Sequence, residues 1–197
     1  MDSPMQTNLV EGLPKKFEDC SFVNFECEKE SNLYKWKRES YRFAKDRTDK
    51  KSLLLIGNVG SGKTHLAISI MKELPNHEPK YKYQNPAPAK SLFLNADHFF
   101  MKLNNSFSEG KAKDKIIDDM LMTNDIVCLD DLSKFNFTPA KTENLYYFVN
   151  QAYMNERRII ITSNYSVQEF KDIDPRIYSR LKEMCLVMVF TNKDYRK

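Results

Sequence analysis

A chain of 197 residues with 41% hydrophobic content has apolar material for the core of one domain, or of one domain plus a short arm. Its 31 basic against 27 acidic residues leave a net charge of only +4, so bulk electrostatics neither demand nor exclude nucleic acid. The cysteines Cys20, Cys27, Cys128 and Cys185 show no C-x-x-C spacing, which supports neither a zinc site nor a thioredoxin-like motif. No apolar run approaches the ~20 residues of a membrane span, and Met1-Asp2-Ser3-Pro4 does not open a signal peptide. The expected setting is the cytoplasm, away from membranes.

Residues 1–19 are polar, carry Pro4, Gly12 and Pro14, and read as a flexible arm. An apolar patch with Phe22 and Phe25 follows, placed either to border an adenine or to pack in the core. From about Glu28 to Asp46, Leu33, Trp36, Phe43 and Ala44 fall near one helical face. Ser52-Leu53-Leu54-Leu55-Ile56 is a short continuous apolar run, suited to a strand buried on both faces. It leads into Gly57-Asn58-Val59-Gly60-Ser61-Gly62-Lys63-Thr64, which fits G-x-x-x-x-G-K-[ST] without a mismatch. A helix from His65 to Leu74 completes the strand–loop–helix context. Glycines let backbone N–H groups turn inward, and the helix N-terminus adds partial positive charge. The Lys63 ammonium is expected on the outer phosphates and the Thr64 hydroxyl on Mg²⁺.

Prolines at 75, 79, 86 and 88 make 75–90 a long connection carrying Lys80, Tyr81, Lys82, Tyr83 and Lys90. These residues are either a grip for a single nucleic-acid strand or a solvated loop. Ser91–Asn95 reads as a strand, and Ala96–Leu103 and Lys111–Met122 as helices. Asp125-Ile126-Val127-Cys128-Leu129-Asp130-Asp131-Leu132 describes a buried parallel strand whose carboxylate tip faces the ligand crevice. Asp130 is placed to hold Mg²⁺ opposite Thr64, and Asp131 to orient or deprotonate the attacking water. Thr138-Pro139 opens a helix through about Met154. Arg158–Thr162 forms a strand that delivers Ser163 and Asn164 to its tip, where a neutral amide can bond the γ-phosphate and the water. A charged helix around Asp172–Lys182 precedes Cys185–Phe190, the fifth apolar strand. This alternation implies an α/β domain with a mainly parallel sheet.

These motifs together resemble the AAA+ ATPases of the DnaC/IstB type, the helicase loaders and transposition helpers. The resemblance covers roughly residues 20–197, taken as the ATPase domain. It rests on the phosphate loop with its His65-Leu66-Ala67 continuation, Leu129-Asp130-Asp131-Leu132, Ile161-Thr162-Ser163-Asn164, Ser179-Arg180-Leu181 and Asp194-Tyr195-Arg196. It implies a P-loop NTPase (AAA+/ASCE) three-layer sandwich with a five-stranded sheet. Walker A is matched by Lys63 and Thr64, Walker B by Asp130 and Asp131, sensor 1 by Asn164. Arg180 matches the arginine finger that acts on a neighbouring subunit's ATP, with Arg176 as competitor. ATP and Mg²⁺ are the implied cofactors. Gly57, Asn58, Val59, Gly60, Ser61, Gly62, Lys63, Thr64 and His65 form the nucleotide-binding set, with Thr64 and Asp130 as metal ligands.

Only 17 residues follow Arg180 (197 − 180), too few for a C-terminal helical lid of on the order of 60 residues. Only about 50 residues precede the first strand, short of the separate helicase-gripping domain that loaders usually carry. Ala152 beside Tyr153 stands where the family often has an Arg. The implied function is an ATPase of DNA replication that assembles on single-stranded DNA and loads or remodels a hexameric, DnaB-type helicase. Its implied partners are that helicase, single-stranded DNA and further copies of itself. Phe99, Phe100 and Lys102 lie on the helix this clade uses for DNA, although the two phenylalanines, as residues of its apolar face, better suit a core. The alternatives are a transposase helper on double-stranded DNA and a nucleotide-dependent adaptor or inhibitor with little turnover.

Overall fold

Ser52–Gly57 is a strand (β2) because five consecutive residues from Ser52 to Ile56 are buried, which only a central sheet position with both faces covered provides. In the computed structural model, which describes residues 10–46, 48, 51–77, 87–106, 112–132 and 137–191, β2 lies inside a six-stranded sheet ordered β1-β3-β4-β5-β2-β6. The other strands are β1 (Val10–Glu11), β3 (Ser91–Asn95), β4 (Ile126–Leu132), β5 (Arg158–Ser163) and β6 (Cys185–Phe190), and every pairing is parallel. The expected five strands are all present. The sixth is β1, two residues within the stretch read as an arm, pairing with β3 at the sheet edge. No apolar run announces it; the segment 1–9 lies outside the described residues.

The helices are α1 (Asn32–Lys45), α2 (Lys63–Lys72), α3 (Ala96–Asn105), α4 (Lys113–Thr123), α5 (Pro139–Met154), α6 (Val167–Ile173) and α7 (Pro175–Met184). Alternate residues of the strands serve two separate cores. Leu53, Leu55, Phe93, Cys128 and Ile160 pack with α1 and α2, together with Phe22 and Phe25. Leu54, Ile56, Val127, Leu129, Ile159 and Ile161 pack with the side chains of α3 to α7. The result among the described residues is three layers, with α1 and α2 on one face and α3 to α7 on the other.

The single helix expected over 172–182 is two. Asp174 is extended (φ −162°), and Pro175 starts a new helix that the Asp174 side chain caps by accepting from the Arg176 N–H. Ser166 and Glu169 form a capping box that starts α6. The lysines and tyrosines at 80–83 and the terminal Asp194-Tyr195-Arg196 lie outside the described residues. No helix of the described chain is long and apolar enough to cross a membrane.

Candidate functional site

The C-terminal tips of β2, β4 and β5 meet at one end of the sheet, with β5 between the other two. Gly57 ends β2 at φ +139°, and a Cβ there would fall 1.9 Å from the Phe190 carbonyl oxygen, so only glycine lets β2 run beside β6 into the loop. Asn58 donates its N–H to the same oxygen (3.3 Å), so this amide faces β6 and not the cradle. The buried Ser61 hydroxyl donates to the Asn58 carbonyl at 2.7 Å and closes the loop, leaving Val59 exposed at its outer tip. Gly62 (φ +96°) caps α2, with the Phe25 ring packed so close that a Cβ would meet it at 3.0 Å. The first-turn N–H groups of α2 have no intrahelical acceptor and form the polar floor of the loop.

Lys63, only 7% exposed, donates to the carbonyls of Gly57 (2.8 Å) and Asn58 (2.7 Å) and to Asn164 Oδ1 (3.0 Å). A buried ammonium needs several acceptors, and these hold it between the loop and the tip of β5. The Thr64 hydroxyl donates to Asp130 Oδ1 at 2.8 Å, joining residues 66 positions apart. Thr162 Oγ1 donates to the same oxygen at 2.7 Å. Burial raises the Asp130 carboxyl pKa above the ordinary range, and the hydroxyls of Thr162 and Thr64 pull it back. One hydroxyl and one carboxylate suit a hard cation that takes its other ligands from water and phosphate oxygens. The pair therefore fits Mg²⁺.

Asp131 is exposed, in the left-handed region at φ +56°. The ladder between β4 and β5 explains why. Leu129 faces Ile161 and Leu132 faces Ser163, so Asp130 and Asp131 together stand against Thr162. That is a β-bulge, which bends the strand tip and re-aims a side chain. The Asp131 N–H donates to Thr162 Oγ1 at 2.9 Å. Thr162 was not among the residues singled out for chemistry. Its signal was a hydroxyl at the end of the isoleucine run of a buried strand, where it must find partners.

Arg180 lies on α7, outside this cluster. Its Nε donates to Asn150 Oδ1 (2.6 Å), its Nη1 to the Arg176 carbonyl (3.2 Å) and its Nη2 to Tyr146 Oη (3.2 Å). The competitor Arg176 is held by Asp174 and Glu143, each at 2.7 Å, which raises its pKa further. Asp174 is thus paired with Arg176 and not with Arg180.

The remaining expectations divide. The His65 ring is turned to the N-terminal segment, with Nε2 2.9 Å from the Ser21 carbonyl and 3.0 Å from Asn24 Oδ1, so only its backbone N–H remains for a phosphate. Burial lowers the pKa of this imidazole. Phe22 and Phe25 are core residues, Phe25 also bordering the loop. Phe99 and Phe100 are buried, while Lys102 is exposed. Among the described residues no cluster of three or more His, Cys, Asp or Glu side chains offers a protein-built metal cage. Two cavities of about 460 and 490 Å³ share Lys51 and sit at the opposite, N-terminal end of the strands.

The sequence profile of the family described as the bacterial DnaA ATPase domain matches residues 22–188. Protein YqaM of Bacillus subtilis (strain 168) is 28% identical over 187 residues, which cover 88% of this chain and 55% of that relative. The chain therefore spans little more than half the length of this relative. Among solved structures, a DnaC helicase loader superposes with a TM-score of 0.71 at 22% identity, covering 90% of this chain and 100% of the other. A replication initiator DnaA bound to AMPPCP and single-stranded DNA superposes with a TM-score of 0.67 at 18% identity, covering 93% and 52%. At such identities the two structures establish the fold alone, an α/β domain with helices on both faces of a parallel sheet.

Proposed function

Because the chain belongs to the bacterial DnaA ATPase-domain family, we propose that it binds and hydrolyses ATP and, with further copies of itself on single-stranded DNA, loads or remodels a hexameric replicative helicase. The observation that carries the ATPase reading is the 2.8 Å contact between Thr64 and Asp130, flanked by the 3.0 Å contact between Lys63 and Asn164. Two pairs of residues, 66 and 101 positions apart in sequence, converge on the mouth of one glycine-rich loop.

Each residue then has a task set by its chemistry. The first-turn N–H groups of α2 receive the β- and γ-phosphate oxygens, and the Lys63 ammonium balances their charge. Thr64 and Asp130 would hold Mg²⁺, which would supply charge neutralisation on the phosphate oxygens. Asp131, the exposed carboxylate at the strand tip, orients the attacking water and accepts its proton. Asn164 donates its amide N–H to the γ-phosphoryl group while its oxygen stays with Lys63. Arg180 supplies positive charge to ATP bound by a neighbouring copy. Neutral Asn150 and Tyr146 hold that guanidinium, so its charge is not cancelled within its own subunit. The DNA and helicase parts of the reading are supported by what the fold's relatives are: a helicase loader and an initiator solved with single-stranded DNA.

The test is steady-state ATP hydrolysis with and without single-stranded DNA, for wild type, Lys63→Ala and Arg180→Ala, beside a pull-down against a replicative helicase in ATP, in ADP and without nucleotide. Stimulated turnover in wild type, lost in both variants, with nucleotide-dependent capture of the helicase is the expected result. Wild-type protein that neither binds nor hydrolyses ATP would overturn it. A preference for double-stranded DNA without helicase capture would move the assignment to a transposition helper.

A further inference from the structure

Thr162 occupies the middle of the site without having been given a role. It lies on β5 at the register position facing Leu55 of β2, and opposite the two bulged residues of β4. It is 1% exposed, and its single hydroxyl is used twice. The proton goes to Asp130 Oδ1 (2.7 Å), and a lone pair receives the backbone N–H of Asp131 (2.9 Å). A hydroxyl can do both from one atom. The second bond holds a residue in the left-handed region, where a non-glycine residue persists only if its surroundings over-determine it.

We propose that Thr162 is a positioning residue for hydrolysis: its hydroxyl pins the bulge between β4 and β5 and thereby fixes the direction in which the exposed Asp131 carboxylate meets the attacking water. This rests on the ATPase reading above. Without the hydroxyl the Asp131 amide loses its acceptor, the left-handed turn relaxes and the carboxylate leaves the line of attack. The nucleotide-binding contacts of Lys63 do not pass through Thr162. The effect therefore falls on kcat, with nucleotide affinity preserved.

Thr162→Val and Thr162→Ala remove the hydroxyl, Thr162→Ser restores it, and Asp131→Asn reports on the carboxylate. Turnover, binding of a fluorescent ATP analogue and the Mg²⁺ midpoint are measured on the full chain. Misplacement of a reacting group by about 1 Å costs on the order of 10²-fold, so that loss in kcat is expected for Thr162→Val and Thr162→Ala. Nucleotide affinity and the Mg²⁺ midpoint should stay within about threefold of wild type, and Thr162→Ser should regain most of the rate. Hydroxyl-free variants that turn over like wild type, or a serine variant as slow as they are, would overturn the proposal. So would a large rise in the Mg²⁺ requirement, which would assign the hydroxyl to Asp130 instead. If Asp131→Asn is fully active, the role of Asp131 in the parent reading fails, whatever the threonine does.

Discussion

Arg176 and Arg180 stand four residues apart on α7, and their partners separate them. Arg176 faces two carboxylates, whereas Arg180 faces an amide, a phenol and a carbonyl. A cation already paired adds little to charge building on a phosphoryl group. Arg180→Ala is therefore expected to lower stimulated hydrolysis by about 10³-fold or more, the range for such fingers, with nucleotide affinity little changed. Arg176→Ala should leave turnover near wild type; parallel kinetic and melting measurements check the contrast. At His65 the relevant variable is pH. Its folded pKa lies below the unfolded value, so the unfolded chain binds the proton more readily. The stability contributed by the neutral, half-buried ring is complete above about pH 6.5 and is lost as pH falls through the lower folded value, because the charged ring must be desolvated while its Nε2–H contacts to Ser21 and Asn24 persist; His65→Gln should flatten that part of a melting profile. The convergence of Lys63 and Thr64 with Asp130 and Asn164 could be anticipated because the first two sit in a fixed loop spacing and the other two end apolar strand runs. That of Thr162 could not, since its role exists only where a bulge brings it opposite Asp130 and Asp131.

Among the elements, α7 depends on Asp174 in two ways. Its carboxylate caps the helix and pairs with Arg176, and the Arg176 hydrogen bonds hold it below the usual carboxylate range. Asp174→Ala is expected to cost about 1–2 kcal/mol in chemical denaturation, the range for a lost N-cap. The lowered pKa means this stabilisation is complete above about pH 4 and disappears as pH falls through the lower folded value. The break between α6 and α7 was visible as Asp174-Pro175, but the charged stretch read as one helix because proline is also welcome in a first turn. Helix α3 shows the reverse case. The periodicity of Phe99 and Phe100 is that of a core, and both are buried. Phe99→Ala should lose about 3–5 kcal/mol of stability by denaturant titration. Lys102→Ala, at an exposed site, should leave stability alone and weaken single-stranded DNA binding.

Across the molecule, the parallel sheet followed from apolar runs alternating with periodic helices, and the three layers from the resemblance to a known family. The order of strands did not, because sequence spacing says nothing of which strand lies between β2 and β4. Even β1 escaped, its two residues joining the sheet only through β3. With ATP and Mg²⁺ the wild-type chain is expected to sediment as a larger species than with ADP, and Lys63→Ala should stay at the ADP value in both. The carbonyl of Phe190, the last residue of β6, sits under Gly57 and receives the Asn58 amide, while the Trp36 indole N–H bonds the neighbouring Val189 carbonyl. A premature stop codon anywhere in that strand would leave Lys63, Thr64, Asp130, Asp131, Asn164 and Arg180 all encoded and still yield a product unable to shape its own catalytic loop.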